Sequence, residues 1–205
     1  MSSVAPAIGR LFSFVVGTEG AWRVEQIHGM AGASLSAAPR VSVVPGPVVQ
    51  LPPGAAWSLR GMASNERYVE RAEKAAVTRK QAGLGRESST CAALIPLRKN
   101  APWWALTQDE RRDLFEAQSH HIEIGIKYLP AVARPLHHCR DLGPDEPFDF
   151  LTWFEYAPGD ADAFTEMLLA LRASPEWAYV EREADIRLVR PIHTTPNHNP
   201  ATVKG

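Results

Sequence analysis

The stretch Phe148 to Tyr156, FDFLTWFEY, limits the fold more than any other part of the chain. Phe148, Phe150, Thr152, Phe154 and Tyr156 share one parity, and Leu151 and Trp153 the other. A strand points successive side chains to opposite faces, so this one places large apolar groups on both. Both faces therefore need cover. Further extended segments are expected at Leu11–Val16, Ala21–His28, Val41–Val44, Trp57–Arg60 and Ser89–Leu97, and again at Trp177–Val180 and Asp185–Val189. Helical patterns interleave with them irregularly, and no glycine-rich phosphate fingerprint follows a strand. The fold class expected is α+β, a sheet with helices on one face. The other face then needs a cofactor pocket or self-association to cover it.

The long helix is expected at about residues 107–129. Thr107 with Glu110 three residues on is a capping-box pattern, and Pro130 marks the end. Leu114, Gln118, His121, Gly125 and Tyr128 recur at three- and four-residue spacing, flanked by Phe115, Ile122 and Leu129. His121 thus points with the buried stripe, while His120 sits about 100° round the helix. A histidine in that place is most often a core residue with a satisfied hydrogen bond, and less often a metal ligand. The chain has no helical HExxH and no compact cysteine cluster, and the adjacent pairs at 120–121 and 137–138 make poor zinc sites. Glu66 to Gln81 forms another expected helix, with Ser64 or Asn65 as cap. An amphipathic one at about 161–173 turns Phe164, Met167, Leu168 and Leu171 to the core.

Composition sets the outer limits. With 205 residues, 45% hydrophobic and 22% charged, the chain can build one proper core. We expect residues 1–56 to be a β-rich segment of the same compact unit, 57–190 the principal domain and 191–205 a tail. A net charge of −1 without a long basic tract argues against a nucleic-acid partner. No apolar run reaches the roughly 18 residues of a membrane span. The opening MSSVAPAIGR lacks a secretory pattern, so a cytoplasmic location is expected. Cys91 and Cys139 read as ordinary residues in a reducing compartment. Pro96 favours an edge or a bend in its strand, and Pro135 excludes a regular central strand around it.

One ordered set of motifs adds a family. Lys99 opens KxxxWW, with Trp103 and Trp104 as its tryptophans. His120-His121 follows, then ARPLHHCRDLG with Arg134, then DFLTWFEYAP, then EWAYVEREADIRLVR with Glu176 at its head. From Trp57 to Arg190 the chain resembles the chlorite dismutase family, in its short, dimeric branch. The resemblance implies a ferredoxin-like α+β barrel, a homodimer, bound haem b, and conversion of chlorite to chloride and dioxygen. It implies His121 as the iron's proximal ligand and Glu176 as the carboxylate behind that imidazole. It implies Arg134 as the distal arginine that holds the anion, Lys99 as partner of a haem propionate, and Trp103 and Trp104 as haem-lining residues.

The residue chemistry is compatible with each role. A carboxylate behind a ligating histidine fixes its orientation and raises its basicity. Arg134 offers a permanent charge and a fork of donors to a small oxyanion. Glu155, in the aromatic strand, competes with Glu176 by chemistry. Rival readings are a coproheme decarboxylase of the same superfamily, which typically carries glutamine in place of Arg134, and a non-catalytic haem-handling protein. A dye-decolourising-type peroxidase would show a GxxDG signature, which is absent here.

Overall fold

The computed structural model describes residues 8–64 and 69–191. Eight strands form one closed antiparallel barrel: β1 Leu11–Gly17, β2 Trp22–Ala31, β3 Arg40–Pro45, β4 Ala55–Ala63, β5 Cys91–Lys99, β6 Leu136–His138, β7 Phe150–Tyr156 and β8 Val180–Val189. Their order around the barrel is β1-β3-β2-β8-β5-β7-β6-β4, closed by β4 on β1. This order contains two four-stranded units. β8-β5-β7-β6 takes its strands in the order fourth, first, third, second, which is the ferredoxin-like arrangement. β2, β3, β1 and β4 repeat that order in the other half. The fold is thus α+β, and its sheet closes on itself rather than leaving an open face.

The helices belong to the second half. Between β5 and β6 come α2 Ala101–Ala105, α3 Gln108–Arg112, a π-helical segment Asp113–Gln118 and α4 His121–Lys127. Helix α5, Ala161–Arg172, joins β7 to β8, and α1, Arg71–Lys80, lies between β4 and β5. Closure explains the double-faced aromatic strand. Leu151 and Trp153 point into the barrel, into one core with Phe14, Val16, Trp22, Leu94 and Ile186. Phe154 and Tyr156 point outward to a second core with Phe164, Met167, Leu168 and Leu171 of α5. The core face expected for α5 is the one it buries.

Four expectations change. The helix expected over 107–129 is broken. Its capping box forms, with the Thr107 N–H donating to Glu110 at 2.7 Å. The helix then widens into the π-helical segment and stops at Ser119 and at His120, whose φ is +52°. His121 therefore starts a new helix. Pro96 sits in a strand flanked on both sides, opposite Leu151 of β7. Its missing N–H is absorbed on the β8 side, where pairing passes from Leu94↔Ile186 to Leu97↔Glu183 without Ile95 or Pro96. Trp177 is not in a strand: Pro175–Tyr179 is a 3-10 turn, and β8 is continuous after it. Helix α1 is capped by Glu70 rather than by Ser64 or Asn65. Asn65 to Tyr68, and the histidines of the tail, lie outside the described residues.

Candidate active site

The outward residues of β5, β6 and β7 and the inner sides of α1, α4 and α5 enclose a cavity of about 520 Å³. Its walls are mainly apolar: Ile95 and Leu97 of β5, Phe150 and Phe154 of β7, Val77 of α1, Leu168 and Leu171 of α5. This is the size and character of a small-molecule or cofactor site. His121, Glu176, Lys99, Trp103 and Arg134 all line it.

His121 is the first residue of α4. Its Nδ1 lies 2.8 Å from Glu176 Oε2. The other Glu176 oxygen accepts from the Lys99 ammonium at 2.7 Å. Glu176 is 4% exposed and Lys99 3%. Burial pushes the Glu176 carboxyl up, but His121 and Lys99 outweigh it and hold its pKa down to about 2. Burial likewise pulls the Lys99 ammonium below its ordinary range, against the pull of Glu176. With Glu176 ionised, Nδ1 of His121 is the nitrogen that donates to it, which turns Nε2 to the cavity. Glu176 is thus enclosed at the turn after α5. Its competitor Glu155 has other partners: it accepts from the Gly85 amide at 2.6 Å and from the Trp153 indole at 3.0 Å.

Lys99 has its partners within the protein. Its ammonium points beneath the 3-10 turn, bonded to Glu176 and 4.4 Å from the Trp103 ring centre. The cause is its place at the end of β5, where an outward side chain meets that turn. Trp104 is displaced. Trp103 is buried on the cavity wall, but its neighbour diverges by about 100° of helix. Trp104 stacks on Phe150 with centroids 6.1 Å apart and carries the Arg140 guanidinium 4.0 Å above its ring. Its buried indole N–H has no hydrogen-bond partner among the described residues.

Arg134 follows the bridge between Ala133 and Glu155, and its carbonyl accepts from the Gln81 side chain at 2.7 Å. Its guanidinium lies over Gly125: a Cβ there would sit 2.6 Å from one terminal nitrogen and 2.7 Å from the other. Gly125 is one turn beyond His121 on α4, so the arginine reaches the histidine's helix through a gap that glycine leaves. No carboxylate among the described residues pairs with this guanidinium. Burial alone pulls its pKa below the ordinary range, yet an arginine stays charged at neutral pH. The cavity thus holds a cation that has no counter-ion among the described residues.

Other residues of the site were not singled out from sequence. The Phe115 ring stacks on the His121 imidazole, centroids 4.2 Å apart and planes 22° from parallel. Ser119, buried, accepts the Glu176 N–H at 2.9 Å. His138 lines the cavity, while His137 faces the barrel interior. Phe115 was visible only as a flank of the helical stripe, and nothing in the sequence marked Ser119. Among the described residues no three His, Cys, Asp or Glu side chains converge as a metal-binding group. His121 is a single nitrogen donor facing a broad apolar cavity, a donor set suited to a metal that brings its own macrocycle.

A profile of the chlorite dismutase family matches residues 54–190. The chain belongs to that family. A curated relative, the chlorite dismutase of Ideonella dechloratans, is 38% identical over 88 residues, covering 43% of this chain and 28% of that protein's length. The crystal structure of the dimeric chlorite dismutase of Nitrobacter winogradskyi is 56% identical. It covers 88% of this chain and 99% of its own, with a TM-score of 0.81. The chlorite dismutase of Candidatus Nitrospira defluvii, in complex with imidazole, superposes over 90% of this chain and 92% of its own. Its TM-score is 0.64, and at 18% identity it speaks to the fold alone. The family match takes in the whole cavity wall from Val69 to Trp177. Among the described residues no helix is long and apolar enough to cross a membrane.

Proposed function

We propose that this chain is a haem b-dependent chlorite O2-lyase that acts as a homodimer and converts ClO2⁻ to Cl⁻ and O2. One observation carries the reading. One apolar cavity holds an imidazole with Nε2 turned to it, backed by a buried carboxylate and ammonium, and also an arginine with no counter-ion among the described residues. The residues fit haem b in size, in apolar lining and in donor set. Haem b, when bound, supplies the redox chemistry at its iron. His121 would hold the haem iron through Nε2. Glu176 holds the Nδ1 proton, which orients the ring and makes it a stronger donor. Lys99 keeps Glu176 ionised and in place. Arg134 attracts chlorite and holds the chlorine-containing fragment until both oxygens have left as O2. Trp103 and the phenylalanine wall exclude water.

The assembly and the location belong to the same reading. The dimeric Nitrobacter protein supports the homodimer. A cytoplasmic location is part of the same proposal, and the free thiols of Cys91 and Cys139 accord with a reducing compartment.

The test is oxygen release on an electrode after adding chlorite to haem-reconstituted protein. Free haem serves as control, and absorption spectra are taken before and after. Rapid release well above the control is expected, with faster bleaching and weaker turnover in Arg134→Ala. A histidine-ligated haem spectrum without oxygen would move the function to haem handling.

A further inference from the structure

The break in the helix before His121 has a geometric effect that a regular helix denies. Residues six apart in an α-helix are about 9 Å apart along the axis and on different faces. Phe115 and His121 are six apart, yet their rings stack at 4.2 Å. Glu116 likewise reaches six residues forward, accepting the Ile122 N–H at 2.7 Å, and seven forward to the Glu123 N–H at 3.3 Å. The wider π-helical turn and the left-handed residue His120 make these contacts possible. Such turns recur at functional sites.

A third contact ties this segment to the carboxylate. Ser119, 2% exposed, accepts the backbone N–H of Glu176 at 2.9 Å. The residues that seat the imidazole and the residue that seats its carboxylate therefore lie within five positions of each other. The ring has Phe115 against one face and Glu176 at its Nδ1 edge, and Glu116 caps the first turn of the helix that carries it.

We propose that Phe115, Glu116 and Ser119 are positioning residues that set the orientation of His121 and the strength of its hydrogen bond to Glu176, an inference that rests on the haem reading above. None of the three acts on substrate. Each acts through His121, whose donor strength follows how squarely Nδ1 meets the carboxylate.

The experiment pairs a cofactor-free and a cofactor-loaded measurement. In haem-free protein, proton NMR should show the His121 ring protons shifted upfield by the stacked phenyl. That shift should vanish in Phe115→Leu and persist in Phe115→Tyr. In haem-loaded protein, Ser119→Ala should bind haem about tenfold more weakly. It should also raise the ferric/ferrous midpoint potential and lower the iron–histidine stretching frequency. Ser119→Thr should restore all three, and Glu116→Ala should move them in the same direction. Far-ultraviolet circular dichroism confirms that each variant folds. The proposal is overturned if Ser119→Ala, Glu116→Ala and Phe115→Leu keep the wild-type potential and stretch while Glu176→Gln changes both. If His121→Ala retains haem with an unchanged spectrum, the haem reading itself fails, and this inference with it.

Discussion

The two halves of the barrel run their four strands in the same order, and the cavity with His121 and Arg134 lies on one of them. In the first half, β1 and β2 are joined by residues 18–21 and β3 and β4 by residues 46–54. Links of that length turn the chain and do no more. The outward residues of β1, β3 and β4, such as Ser13, Val15, Ser42 and Ser58, carry no helix of these links. In the second half, the equivalent links are residues 100–135 and 157–179. They hold α2 to α5, and they bring His121, Arg134 and Glu176 over the sheet. Sheet order fixes the frame, and the connections carry the chemistry. The inward faces of both halves merge into one core, so stability is shared between them while the cavity is not.

The largest effects should separate these two roles. His121→Ala should reduce haem affinity by more than about 100-fold, beyond the loss expected for a supporting residue, while the haem-free protein loses only the bond to Glu176, about 1–3 kcal/mol. Phe14→Ala, in the core shared by both halves, should cost about 3–5 kcal/mol of stability. At temperatures where it is folded, it should still take up haem one to one. Haem titration and urea unfolding of both variants make the comparison. Loss of haem binding in folded Phe14→Ala would show that the first half shapes the cavity after all.

Lys99→Met comes next, because it strips one partner from a buried ion pair and leaves Glu176 enclosed. A loss of about 3 kcal/mol is expected, seen in urea unfolding of haem-free protein. An exposed pair such as Arg23–Glu25 in the first half should contribute less than about 1 kcal/mol. Equal effects would mean that solvent reaches Glu176.

His137 and His138 carry the comparison to neighbouring residues. His138 faces the cavity. His137 faces inward, edge-on to Phe12 and Phe14, with Nδ1 3.2 Å from the Leu151 carbonyl. Burial lowers its pKa from 6.5 to about 4. A histidine kept neutral by folding protonates first in the unfolded chain. Its contribution is present above pH 6.5 and is lost as the pH falls to about 4. The expected loss is roughly 3 kcal/mol, and His137→Leu should flatten the stability profile across that window. A profile that stays as steep would place the sensitivity elsewhere.

What the sequence discloses follows the same division. The inward faces were legible because alternation is local: Leu11–Val16 and Phe148–Tyr156 reveal their parity on inspection. Helix α5 was legible for the same reason, in its own period. Closure of the barrel was legible only through the family motifs, since it depends on pairings such as Leu11 with Met62 that no local pattern announces. His121 could be placed on a buried stripe. The break before it could not, because a π-helical turn and a left-handed histidine are held by Glu116, Ser119 and Glu176 acting across the fold. The family motifs named Lys99 and Trp104 as site residues, but their partners depend on where the 3-10 turn and Phe150 come to rest.

The smallest change in stability, and the sharpest question about the site, lies at Gly125. A Cβ at this position would press on the far end of the Arg134 side chain, not on backbone. The arginine can swing away, so the clash is cheap to relieve. Alanine also favours the helix over glycine by about 0.5–1 kcal/mol. Gly125→Ala should therefore leave stability within about 1 kcal/mol of wild type and leave haem affinity intact. It should still lower oxygen release from chlorite, because the guanidinium loses its seat beside α4. Measured against Arg134→Ala, the outcome separates charge from position. A partial loss means that the arginine works from other poses as well. A loss as deep as that of Arg134→Ala means that only the pose over Gly125 is productive. Unchanged oxygen release would mean that this pose has no part in turnover, and that the arginine turns to another when chlorite is bound.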